Sequence, residues 1–173
     1  MKSIMFAALT VMSVGFIYYM RQIKQVQVPT NNVDKACKTP VDYSSTRPAH
    51  AGAYITQFSW GHVTVEHGDG TLKNYKDVIV YPEGSQEWDW SKTGTRHVPG
   101  IQVADVQELA QKVDRVILSR GVDLVLQVQP ETLEYLRNHN KQYDVLQSQE
   151  AVELYNKLIS EGKRVGIVLH STC

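Results

Sequence analysis

Residues 143–169 read YDVLQSQEAVELYNKLISEGKRVGIVL, and this stretch decides the fold. Tyr143 to Leu146 reads as a strand. Ser148 is placed to cap a helix that carries Ala151, Val152, Tyr155, Leu158 and Ile159 on one face, and Gly162 stops it. Val165 to Leu169 is a closing strand. Upstream, Pro130 can begin a helix at its first position, with Leu133 and Leu136 inward. Val116-Ile117-Leu118 is a short buried-strand run ended by Arg120-Gly121, and Val103, Val106, Leu109 and Ala110 fall at helical spacing before it. Strand, helix, strand, helix, strand implies right-handed crossovers and a parallel sheet covered by helices.

The front of the domain has a different grammar. Phe58, Trp60, Val63 and Val65 lie in two short strand-like pieces around Gly61, and His67-Gly68-Asp69-Gly70 is a turn signal. Val78 to Val80 form another strand, stopped by Pro82. This portion reads as an antiparallel ribbon. The expected class is therefore α/β: a three-layer fold with a partly parallel central sheet flanked by helices, plus an N-terminal antiparallel β-ribbon, over residues 54–173.

The chain has 173 residues and zero formal net charge, so no global field favours nucleic acid. The balance hides an asymmetry. Residues 1–53 hold six Lys/Arg against two Asp/Glu, and the remainder holds twelve against sixteen. An uncharged run from Ser3 to Met20, ended by Arg21 and Lys24, makes residues 1–24 a hydrophobic targeting or anchor segment. An uncleaved membrane anchor with the domain in the cytosol fits it best. A mitochondrial presequence and a secretory signal stay open as alternatives. Residues 25–53, with Pro29, Pro40 and Pro48, read as linker. The two cysteines, Cys37 and Cys173, are a poor pair for a disulfide, which points to a reducing compartment.

Residues 87–106, EWDWSKTGTRHVPGIQVADV, read as a long structured loop of the kind that carries function. Trp88 and Trp90 alternate and would share a face, with Asp89 on the other. Either the indoles cover the sheet while Asp89 accepts loop amides, or they form an aromatic wall with a carboxylate rim. Thr93-Gly94-Thr95 can turn tightly and offer amides and hydroxyls to an anion. His97, Arg120 and His170 are a candidate trio: Arg120 and His170 follow strand ends, where parallel sheets bind ligands. Together they could hold a carboxylate or phosphate, or each could simply bond nearby backbone or acids. His62 and His67 are five apart and a poor metal pair. No dinucleotide, P-loop or serine-hydrolase motif is present. No cofactor and no metal are expected.

The set SWG (59–61), WDW (88–90), TGT (93–95), HVPG (97–100), Arg120-Gly121 and HSTC (170–173) resembles the adipogenesis-associated MTH domain family, nearest to its vertebrate members, over about residues 58–173. The resemblance implies a compact three-layer α/β fold, cytoplasmic residence, and a role in preadipocyte differentiation through an unidentified protein partner, without established enzymatic activity. The same superfamily includes an assembly factor for mitochondrial respiratory complex I, which implies a second possible setting. The chain departs from the family's short form in its first 53 residues, at Val103 where proline is expected, and at Val113 where glycine is expected. An enzyme or sensor built on the His97–Arg120–His170 edge is the remaining alternative.

Overall fold

The computed structural model describes residues 39–173. The proposed anchor at residues 1–24 and the first half of the proposed linker lie outside the described residues. Among the described residues no helix is long and apolar enough to cross a membrane. That finding corrects the expectation of membrane anchoring.

Nine strands among the described residues form two sheets. Sheet A is antiparallel, in the order β1 (Val41–Asp42), β2 (Tyr54–Ser59), β3 (His62–Glu66) and β4 (Leu72–Tyr75). Sheet B is mixed, in the order β6 (Gly84–Glu87), β5 (Val78–Tyr81), β9 (Val165–Leu169), β7 (Arg115–Ser119) and β8 (Gln142–Leu146). The pairs β7–β8 and β7–β9 are parallel, while β5 runs antiparallel to both β9 and β6. The helices are α1 (Trp90–Thr93), α2 (Val103–Lys112), α3 (Pro130–Asn138) and α4 (Ser148–Ser160).

Side-chain alternation along sheet B builds two cores. Val78, Val80, Ile117, Ile167 and Leu169 face one way, onto Ala151, Val152 and Tyr155 of α4 and onto Ile55, Phe58, Val63 and Val65 of sheet A. Ile79, Val116, Leu118 and Val168 face the other way, onto Val106, Leu109 and Ala110 of α2 and Leu136 of α3. The α/β class with a mixed, helix-flanked sheet and an antiparallel N-terminal sheet is what the periodicity implied.

Three local readings change. The strand at Val78–Tyr81 belongs to the central sheet, not to the N-terminal ribbon, because its register is set by β9 (Val78↔Leu169). Residues 39–53 are not all linker: Val41 pairs with Phe58, and Ala51 and Ala53 are buried. A two-residue strand among polar residues carries no periodicity to read. Finally, Gln147, not Ser148, caps α4, its side-chain oxygen accepting from the amides of Gln149 (2.6 Å) and Glu150 (3.3 Å). Ser148 makes a tertiary contact instead. Its buried hydroxyl meets the Ser119 hydroxyl (2.6 Å) and donates to the His170 carbonyl. The ends of β7, β9 and α4 are thereby tied at one point, next to His170.

Candidate functional site

The site sits where β9 ends and the chain runs on through His170 to Cys173. His170 is buried at 3% exposure. Its Nδ1 lies 3.0 Å from Asp77 Oδ1, and its Nε2 lies 3.2 Å from the Thr172 hydroxyl. Asp77, itself buried, also accepts from the Ser171 amide at 2.8 Å. The carboxylate thus fixes both the imidazole and the backbone that follows it.

Gly121 positions the last residues. It adopts φ +91°, and a Cβ there would stand 1.8 Å from the Cys173 carbonyl oxygen. Only glycine lets the two segments approach so closely. The next residue seals the contact, Val122 N–H donating to the Thr172 carbonyl at 2.6 Å. This brings Cys173 Sγ to 3.2 Å from His97 Nε2.

The TGT–HVPG loop arrives from the other side. Its organiser is Asp105, a buried carboxylate in the first turn of α2. Asp105 Oδ1 accepts from Trp88 Nε1 (3.0 Å) and the Thr93 hydroxyl (2.6 Å), and Oδ2 accepts from the Thr95 hydroxyl (2.5 Å) and the Gln102 amide (2.8 Å). With the loop so pinned, Trp90 packs among Trp88 (5.2 Å between ring centroids), His97 (5.3 Å) and His170 (4.6 Å), and the two imidazoles lie 5.6 Å apart. An open hollow of ≈ 360 Å³ lies over this cluster, with Lys76, Asp77, Glu87, Asp89 and Thr172 completing its walls.

The six candidate residues therefore separate. His97 and His170 come together at the hollow. Thr93 and Thr95 spend their hydroxyls on Asp105. Asp89 lines the rim but caps α1, accepting from the Ser91 hydroxyl (2.7 Å) and amide (2.9 Å); those two bonds hold its carboxyl below the usual carboxylate range. Arg120 pairs with no acid among the described residues and does not line the hollow. Its Nε and Nη2 donate to the carbonyls of Leu126 (2.9 Å) and Leu124 (2.8 Å), holding the loop after β7. Of the two indoles, Trp88 is buried core, whereas Trp90 is half-buried at the hollow. His62 and His67 bond separately, to Thr64 and Ser85.

Sequence reasoning missed Asp77, Asp105 and Cys173. Asp77 sits in a two-residue turn between strands, and Asp105 looks like an ordinary acid of a helix first turn. The register of β5 on β9 and the grip of Gly121 on residues 172–173 are tertiary facts. The sequence pattern marks no metal site, yet one ligand atom each from His97, His170 and Cys173 all lie within 4.8 Å of one another.

Solved structures share this fold. A conserved hypothetical protein from Pyrococcus horikoshii is 23% identical, with TM-score 0.56, over 69% of this chain and 98% of that one. A Bordetella parapertussis protein is 21% identical, with TM-score 0.55, over 72% and 99%. A Bordetella pertussis protein described as an Mth938-like domain is 18% identical, with TM-score 0.54, over 72% and 89%. At such identities the likeness is one of fold. The family model described as "Protein of unknown function (DUF498/DUF598)" matches residues 55–170, and the chain belongs to that family.

Proposed function

We propose that this chain is a non-enzymatic interaction module that receives a protein partner's segment at the Trp90 hollow, and that it acts in preadipocyte differentiation, as its motifs imply by resemblance. The observation that carries the reading is the apolar rim beside the hollow. Val98 is 72% exposed, Leu124 43% and Val125 42%. Their loops run side by side: Gln127 N–H donates to the His97 carbonyl (2.9 Å), and Ile101 N–H to the Gln127 carbonyl (2.9 Å). Leu124 is held at φ 59°, a conformation that costs a non-glycine residue roughly 1–2 kcal/mol. Arg120 keeps it there. Exposed apolar side chains on braced loops beside an aromatic-walled hollow are the makings of a recognition surface. The engagement of Thr93, Thr95, Asp89 and Arg120 inside the fold supports recognition over anion chemistry.

The test uses full-length protein carrying Val98→Asp or Leu124→Asp, crosslinked in differentiating preadipocytes. Proteins captured by the parent chain should be lost from both variants while their thermal unfolding is unchanged. Undiminished capture by both would refute the reading. One observation favours a second reading, a small-molecule enzyme or sensor: the thiol–imidazole pair Cys173–His97 at 3.2 Å opens beside the same hollow. Turnover or ligand binding that disappears in Cys173→Ser, with partner capture intact, would favour it.

A further inference from the structure

We propose that His97, His170 and Cys173 form a three-ligand site for a zinc-type divalent cation, with the fourth position open to the hollow. The inference is independent of the partner proposed above.

The donor set comes first. Two imidazoles and a thiol are nitrogen and sulfur ligands, which select zinc and its neighbours over magnesium or calcium. The donors come from separate segments, the TGT–HVPG loop and the residues after β9, so binding would clamp one to the other. The geometry is near what tetrahedral coordination needs. With metal–nitrogen bonds of about 2.0 Å and metal–sulfur bonds of about 2.3 Å, ligand atoms stand roughly 3.3–3.6 Å apart. The His97 Nε2–Cys173 Sγ distance is 3.2 Å, and no separation within the triad exceeds 4.8 Å.

The second observation is the surrounding shell. His170 presents Nε2 to the cluster because Nδ1 is taken by Asp77, at 3.0 Å. A carboxylate on the far nitrogen of a histidine fixes its tautomer and orientation, the arrangement found behind most metal-bound imidazoles. Asp77 is fixed in turn by the Ser171 amide (2.8 Å), and His170 by the Ser119 hydroxyl on its backbone N–H (3.2 Å). Among the described residues, His97 has no such acid. Its Nε2 meets the thiol, and its ring packs edge-on against Trp90 and His170. Hydrogen bonds and ring packing bring two imidazoles and a thiol to one point, a donor set that a single cation can share. Thr172, 3.2 Å from His170 Nε2, would yield that contact to the metal, and its hydroxyl or a water would take the fourth position.

The experiment titrates the reduced full-length chain with Co²⁺, a coloured substitute for Zn²⁺, and then with Zn²⁺ itself. The expected result is a near-ultraviolet sulfur-to-cobalt charge-transfer band with tetrahedral visible bands, removed by one equivalent of Zn²⁺. The thiolate band should survive Cys37→Ser and vanish in Cys173→Ser. His97→Gln, at a half-exposed position, should weaken binding by more than the roughly 10–100-fold that loss of an outer-shell partner costs. Absence of the band in the parent chain overturns the proposal. So does its persistence in Cys173→Ser, its loss only in Cys37→Ser, or unchanged affinity in His97→Gln.

Discussion

Replacing Asp105 by asparagine tests the organisation of the site at its least conspicuous point. The carboxylate takes four hydrogen bonds, two on each oxygen. Asparagine must put an NH₂ where one oxygen stood. If the NH₂ replaces Oδ1, the Thr93 hydroxyl can turn and accept, but Trp88 Nε1 can only donate and is stranded. If it replaces Oδ2, the Thr95 hydroxyl can turn, but the Gln102 amide is stranded. Neither orientation escapes an orphaned donor, buried for Trp88 and part-buried for Gln102, which costs about 1–3 kcal/mol when buried, and the bonds that survive lose their ionic partner. The expected loss is roughly 2–4 kcal/mol. Asp89→Asn is the control. Asp89 is a helix cap at the rim, and asparagine caps as well as aspartate, so its change should leave the urea midpoint close to that of the parent chain. Urea unfolding of both variants measures the difference. Equal midpoints would refute the hub.

Arg120→Ala should lower stability by about 1–3 kcal/mol through two lost bonds to loop carbonyls, without altering phosphate-induced NMR shifts; a stable variant that loses phosphate binding would restore the anion reading. A chain beginning at residue 54 should unfold at lower urea than one beginning at residue 39, by at least ~2 kcal/mol, because β1, buried Ala51 and Ala53, and the Arg47 bonds to the Ala51 and His67 carbonyls go with the missing segment. Burial, then the positive Lys73, hold His67 below the ordinary imidazole range, against a smaller pull from Asp69. Such a group contributes stability that is full above the unfolded value and lost as pH falls through the folded one, so stability should decline as pH drops below about 6.5, and His67→Gln should flatten that decline.

The fold was legible because its periodicities are local. The faces of α2 and α4 and the apolar runs at Val116–Leu118 and Val165–Leu169 each announce one element, and their order leaves few topologies. The sheet membership of β5 was not legible, since Val78–Val80 would suit either sheet and only pairing with β9 decides. The site was half legible. His97 and His170 stood out as polar residues at a loop and a strand end, and both reach the hollow. Arg120 stood out by the same logic and misled, because its turn also exposes carbonyls that its fork can satisfy. Asp77 and Asp105 gave no signal: each matters through partners 93 and 17 residues away in the chain. Cys173 carries no signal in the sequence, because only the close approach of Gly121 and the Val122 bond to Thr172 place it beside His97.

If the Trp90 hollow and its apolar rim are the functional face, a partner must be reachable from the rim and not from the far sheet. Photo-crosslinking from single positions in the full-length chain, within differentiating preadipocytes, reads this out. A crosslinker at Val98 or Leu124 should trap a common protein, while one at Leu72, 59% exposed on β4 of sheet A, should trap none of it. The same protein trapped from Leu72 but from neither rim position would put the functional face on sheet A instead.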